Sequence, residues 1–207
     1  MTVSVHPETL ILPGLAGSPE GHWQYLWAEE RDNARYVEQA DWDFPDLDRW
    51  IANLEAALAG ATDGAFLVAH SLGCILAARM AGSPAVSKIR GALLVAPCDL
   101  EATGRIHPGL IRAGAMPEAA LPFPSVLVAS RDDPYMAFDR AEQVARAWGS
   151  SLHDIGYAGH VNLSSGYGRF NRGYRLFDQL VERVEATRSP EPAYGFATPA
   201  EALSSHG

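Results

Sequence analysis

The stretch Phe66-Leu67-Val68-Ala69-His70-Ser71-Leu72-Gly73-Cys74 decides how the rest of the chain is read. Its first four residues are apolar and partly β-branched, the signature of a buried strand, and a helical pattern starts directly after Ser71. Ser71 therefore sits on a strand-to-helix turn. Such a turn lifts a serine hydroxyl clear of the sheet, and it is so tight that small residues are needed on both sides of the serine. Here Ala69 fills the first small position and Gly73 the second. A serine that merely N-caps a helix gives the same local pattern, so the other strand ends have to decide.

Upstream, residues 9–12 form a short apolar strand stopped by Pro13-Gly14. A loop over residues 15–21 leads into a helix carrying His22, Trp23, Leu26 and Trp27, whose apolar members recur at helical spacing. Residues 36–39 read as a weak second strand. Asp46 is placed to N-cap a helix bearing Leu47, Trp50, Ile51, Leu54 and Leu58, which ends near Gly60. Downstream of the central stretch, strands are expected at 92–96, 126–129 and 152–155, with helices over 72–81, 140–148 and 174–187. Strands that alternate with helices in this way imply a parallel sheet covered on both faces. The expected fold class is α/β, with about six parallel strands in the order 2-1-3-4-5-6 and one domain over residues 1–188. Residues 99–121, long for a connection and rich in Gly, Ala and Pro, are expected to form a short mobile cap. The Pro-, Ala- and Ser-containing segment 189–207 reads as a flexible tail.

Composition narrows the function classes. The 207 residues are 47% hydrophobic and 20% charged, ordinary for a globular domain, and the net charge of −9 comes with no basic run. Nucleic acid and anionic membrane are therefore not expected partners. Cys74 and Cys98 make neither a disulfide framework nor a CxxC metal pair, so reduced thiols and a cytoplasmic location are expected. No apolar run approaches the roughly 18 residues of a membrane span, and no secretory signal pattern opens the chain. The seven histidines are scattered, with no His-Glu-x-x-His, so no metal site is expected.

In an open parallel sheet, ligands bind beyond the carboxyl ends of the strands. Three such ends carry chemistry here: Ser71 after the third strand, Asp132-Asp133 after the fifth, and His160 after the sixth. Each has an ordinary reading alone, as a cap, a turn residue or a loop residue. Together their order Ser, Asp, His is that of the α/β-hydrolase fold. A serine hydroxyl needs a base to take its proton, which His160 supplies, and a carboxylate fixes the imidazole tautomer. Asp133 is favoured over Asp132 for that role because Pro134 restrains the following turn and biases Asp133 toward an extended backbone. The backbone N–H groups of Leu72, at the helix start, and of Leu15, in the glycine-containing loop, are the expected oxyanion donors. That loop lacks both the Gly-x-Gly-x-x-Gly spacing and the Walker lysine of a phosphate cradle. His22 and Trp23 are expected to shape the loop entrance. Tyr135 and Met136, with Leu15, Leu72 and Met116, point to an uncharged or lipophilic acyl group in the pocket.

Several further blocks carry a resemblance: Leu12-Pro13-Gly14, Gly21-His22-Trp23-Gln24, Ala40-Asp41-Trp42, Val95-Ala96-Pro97, Leu121-Pro122-Phe123-Pro124, Ala129-Ser130-Arg131-Asp132-Asp133-Pro134-Tyr135 and Ala158-Gly159-His160-Val161-Asn162. With the Ser71 stretch, they make residues 10–180 resemble the bacterial branch of the small α/β-hydrolases related to retinoblastoma-binding protein nine, the YdeN-like serine hydrolases. The resemblance implies a serine hydrolase with Ser71, Asp133 and His160 as its triad and no cofactor. The reading of the residues is a hydrolase of carboxylic esters with a small or medium acyl group; an amidase or peptidase, or a low-turnover binding module on the same fold, are its alternatives. Ala69 departs from the usual glycine of that turn. Pocket-protein binding in the eukaryotic relative goes with Leu-x-Cys-x-Glu, and Leu72-Gly73-Cys74-Ile75-Leu76 lacks the acid, so no such partner is expected.

Overall fold

Side chains that alternate along the inner strands of a six-stranded sheet divide the interior into two apolar layers. The computed structural model describes residues 8–109 and 114–188. Its strands are β1 (Glu8–Leu12), β2 (Ala34–Tyr36), β3 (Ala65–His70), β4 (Ile89–Val95), β5 (Ser125–Ala129) and β6 (Ser151–Asp154). All neighbours pair in parallel, in the order β2-β1-β3-β4-β5-β6. The helices are α1 (Trp23–Glu30), α2 (Leu47–Gly60), α3 (Leu72–Arg79), α4 (Leu100–Ile106), α5 (Phe138–Trp148) and α6 (Asn171–Arg188).

Leu10, Leu67, Ala69, Ala92, Leu94 and Leu127 face one side and pack with α2, α3 and α5 through Leu54, Ile75 and Trp148. Their neighbours Ile11, Phe66, Val68, Leu93, Val95 and Val128 face the other side, under Trp23 and Trp27 of α1 and Phe177 and Leu180 of α6. This two-residue period, buried on both faces, is what a doubly covered parallel sheet requires. β3 lies at the centre with every residue buried, so the turn at its carboxyl end is held from below by both layers.

Local signals explain most boundaries. Asp46 caps α2 by accepting the N–H groups of Asp48 and Arg49, and Leu47, Trp50, Leu54 and Leu58 form its buried stripe. α5 stops at Gly149, whose φ of 69° is the left-handed conformation glycine tolerates. Two departures from the sequence reading matter. β2 lies at 34–36, earlier than the expected 36–39, because an edge strand with no fully buried residue has no strong apolar pattern. The expected cap contains a helix, α4, capped by Asp99; of its side chains only Thr103 is buried, which leaves no stripe to read. Residues 110–113 of that cap, and the expected tail 189–207, lie outside the described residues. Among the described residues no helix is long and apolar enough to cross a membrane.

Candidate active site

The turn after β3 is strained. Ser71 has φ 54° and ψ −120°, a conformation L-residues rarely adopt and one that persists only where the surroundings enforce it. Its N–H donates to the Val95 carbonyl at 3.1 Å, and its carbonyl accepts the Cys74 N–H at 3.0 Å. The helix must then run directly against β1. A Cβ on Gly73 would sit 2.0 Å from the Leu12 carbonyl oxygen, so only glycine fits there. A Cβ on Gly14 would sit 2.7 Å from the Ser71 Cβ, so the loop after β1 also depends on glycine to approach the serine. Ala69 is fully buried on the α2/α3/α5 side of the sheet.

Ser71 Oγ lies 2.8 Å from His160 Nε2, and His160 Nδ1 lies 2.9 Å from both carboxylate oxygens of Asp133. The side chains of His160 and Asp133 are 7% and 3% exposed, so this chain of bonds is shielded from water. Asp133 Oδ1 also accepts the Tyr135 N–H at 2.9 Å, a turn closed over Pro134. Asp132 faces elsewhere. Its Oδ1 accepts from the Ser130 hydroxyl at 2.7 Å and from the Gly159 N–H at 2.8 Å, and these bonds hold its carboxyl below the usual range. Asp132 thus ties the end of β5 to the loop that carries His160.

That loop has further tethers. His70 Nε2–H donates to the His160 carbonyl at 2.8 Å, and the His160 N–H donates to Ser165 Oγ at 3.0 Å. Trp23 Nε1–H donates to the Val161 carbonyl at 2.9 Å, beside a Val161 φ of 50°.

A cavity of about 310 Å³ opens over Ser71, lined by Leu15, His22, Leu72, Cys98, Thr103 and Tyr135 among others. The N–H groups of Leu15 and Leu72 have no partner among the described residues, and both residues line the cavity. The loop bearing Leu15 is pinned by the Ala16 N–H donating to the Trp42 carbonyl at 2.8 Å. Of the expected pocket residues, His22 and Tyr135 reach the cavity; the Tyr135 ring centroid lies 4.3 Å from that of His160. Trp23 and Met136 do not. Trp23 is fully buried under the sheet, one residue past the cap and so rotated away from the cavity, while Met136 and Met116 pack with the opposite layer.

Sequence reasoning missed other contributors. Gln24 is fully buried and its Nε2 donates to the carbonyls of Leu12 (3.2 Å) and Val68 (3.0 Å), joining the ends of the two strands that carry the loop and the serine. A glutamine in an amphipathic helix gives no sign of such bonds. From α4 and its C-terminal end, Thr103 and His107 reach the cavity, and His107 Nε2 lies 3.1 Å from the Tyr135 hydroxyl. Burial pushes the Cys98 thiol up to about 12, so it stays protonated beside the serine. Among the described residues no group of acidic, histidine or cysteine side chains is arranged to hold a metal.

A serine hydroxyl aimed at an imidazole, a carboxylate behind that imidazole, and two free N–H groups nearby are an array able to transfer an acyl group. A family model described as serine hydrolase matches residues 9–179. The chain belongs to the serine hydrolase family. It is a YdeN-like member, with 31% identity and a TM-score of 0.74 to a YdeN-like hydrolase from Pectobacterium atrosepticum, over 86% of this chain and 92% of that one. The ydeN product of Bacillus subtilis matches at 18% identity and TM-score 0.63, covering 86% of this chain and 100% of that one. A Bacillus cereus carboxylesterase shares the fold at 15% identity and TM-score 0.54, over 86% and 88% of the two chains. No curated protein matches the chain. In this YdeN-like serine hydrolase the site lies where the α/β-hydrolase fold puts its strand ends, beyond β3, β5 and β6.

Proposed function

We propose that this serine hydrolase cleaves carboxylic esters of small or medium acyl groups through an acyl-enzyme on Ser71. The observation that carries the reading is the unbroken sequence of bonds from Ser71 Oγ through His160 to Asp133. As Oγ attacks the ester carbonyl, its proton passes to His160 Nε2, and the Asp133 carboxylate stabilises the imidazolium. The carbonyl oxygen becomes an oxyanion held by the N–H groups of Leu15 and Leu72. His160 then returns the proton to the leaving alcohol. Water, deprotonated by His160 in turn, releases the acid and regenerates Ser71. Every step uses groups of the chain and water, so a small acyl substrate is the only partner the reading needs. The free thiols of Cys74 and Cys98, both buried, fit a cytoplasmic chain.

The test is labelling by a fluorophosphonate probe together with turnover of p-nitrophenyl esters and the matching anilides. Labelling and ester turnover that vanish in Ser71→Ala support the proposal. A folded native chain that does not label, or one that prefers anilides, refutes it.

A further inference from the structure

Three imidazoles crowd together beside Ser71, and acyl transfer uses only one of them. The ring centroids of His22 and His70 are 5.2 Å apart, and those of His70 and His160 are 4.9 Å apart. His22 is 3% exposed and His70 5%, yet both line the cavity over the serine. The bonds each ring makes fix where its proton sits. His22 Nδ1 accepts the Gln24 N–H at 3.2 Å, which leaves the proton on Nε2. His70 Nε2 lies 2.8 Å from the His160 carbonyl, which only accepts, so the His70 proton is on Nε2 and Nδ1 is a bare acceptor. Burial keeps both rings neutral near pH 7, pushing His22 down to about 4 and His70 well below the ordinary histidine value.

Two polar atoms are left over. His22 Nε2–H has no acceptor and His70 Nδ1 has no donor among the described residues, and both residues line the cavity. A free donor and a free acceptor on rings whose centroids lie 5.2 Å apart point to a group that arrives through the cavity and meets both. The pair is selective about that group. An ester or carboxylate oxygen accepts only and would leave His70 unmet, while an ammonium donates only and would leave His22 unmet. A hydroxyl does both.

We propose that His22 and His70 form a subsite for a substrate hydroxyl, accepting from His22 Nε2 and donating to His70 Nδ1 while Ser71 attacks the neighbouring ester. The inference rests on the ester-hydrolase reading and gives it a substrate class: esters whose leaving alcohol or acyl chain carries a hydroxyl a few bonds from the reacting carbon. Both histidines are specificity residues here, and no covalent bond is made or broken at the subsite.

The experiment compares kcat/KM for propyl butyrate, glycerol monobutyrate and propyl 3-hydroxybutyrate, with fluorophosphonate labelling of Ser71 measured alongside. A hydroxyl on the alcohol side favours the glycerol ester, and one on the acyl side favours the hydroxybutyrate. The native chain is expected to prefer one of the two over propyl butyrate by at least about tenfold, since a site built to bond a hydroxyl discriminates against the analogue without it. His22→Ser keeps an oxygen to cap α1 and is too short to place a donor where His22 Nε2 stood. His70→Leu removes the Nδ1 acceptor, and the bond to the His160 carbonyl lost with it lowers all three rates alike. In each variant the preference should fall to within about threefold of unity, and the ratio cancels any general loss of rate. Equal turnover of all three esters, or a preference that survives both substitutions, overturns the subsite and leaves the pair holding only water. A chain that labels at Ser71 but turns over none of the three overturns the ester-hydrolase reading and the subsite with it.

Discussion

Replacing Asp133 and Asp132 separately by asparagine asks the same chemical question of two adjacent carboxylates with different geometry. Asp133 has both oxygens 2.9 Å from His160 Nδ1, and Oδ1 also accepts the Tyr135 N–H. The amide introduced by Asp133→Asn would keep one oxygen for the Tyr135 N–H and turn its own N–H toward Nδ1. A donor there favours the tautomer with its proton on Nε2, the nitrogen that faces Ser71 at 2.8 Å. The serine would then meet a donor where it needs a base. Where such a tautomer reversal has been engineered in a serine protease, kcat falls about 10⁴-fold, and a loss of that order is expected here. The Asp132→Asn variant would keep its Oδ1, the atom that accepts from Ser130 and Gly159, and lose only the charge, on a side chain exposed to solvent. Its kcat should fall less than about tenfold, the size of one weakened hydrogen bond. The assay is p-nitrophenyl butyrate turnover on both variants, with thermal melts to show that each is folded. A larger loss for Asp132→Asn would refute the argument and move the orienting carboxylate to position 132.

Gly73→Ala would push a Cβ to 2.0 Å from the Leu12 carbonyl oxygen, so β1 and α3 must separate; a loss of at least about 3 kcal/mol in denaturant melts and no fluorophosphonate labelling are expected. Ser71→Gly and Ser71→Ala both remove the hydroxyl, but only glycine relaxes the φ of 54°; the glycine variant should be more stable than the alanine one by about 1 kcal/mol, and the opposite order would remove the strain from the account. His22 and His70 are neutral when folded and titrate near 6.5 when unfolded, so below that value the unfolded chain binds more protons and stability falls with pH. The fall should run from about pH 6.5 down to about 4 for His22 and further for His70, at up to about 1.4 kcal/mol per pH unit for each ring, and His22→Asn should flatten it in melts across that range.

The fold is legible because its signals are local. The apolar run before Ser71, the Gly73 two positions after it, and the capping Asp46 each act on their own few residues. Asp133 is preferred over Asp132 for the same reason, since Pro134 sets a turn that a short-range rule describes. Sequence patterns fail where structure depends on distant partners. α4 fully buries only Thr103, and the Asp99 cap and the Arg140 bond to Asp99 at 3.3 Å that hold its start leave no periodic pattern. Trp23 is expected at the pocket with His22 because the two are neighbours in sequence. One residue of helix turns the side chain by about 100°, which is enough to carry it from the cavity to the layer beneath the sheet. Gln24 bonds to a carbonyl 44 residues away, and no spacing rule reaches that far.

The same residues explain how a loop can hold an imidazole in place. A loop imidazole would ordinarily sample many positions, and a shift of about 1 Å is enough to cost acyl transfer much of its rate. Here His160 is fixed from several sides. Asp133 holds its ring, His70 its carbonyl, and Ser165 its N–H. Asp132 holds Gly159 on one side of it, and Trp23 holds the Val161 carbonyl on the other. These anchors come from the ends of β5 and β3, from α1 and from the short 3₁₀ turn Leu163–Ser165, elements joined to the two apolar layers. Val161, between these anchors, holds a φ of 50°, a conformation that persists in a β-branched residue only where the surroundings enforce it. His70 steadies that loop through its ring proton, a bond to the His160 carbonyl that an aliphatic side chain packed there could not make.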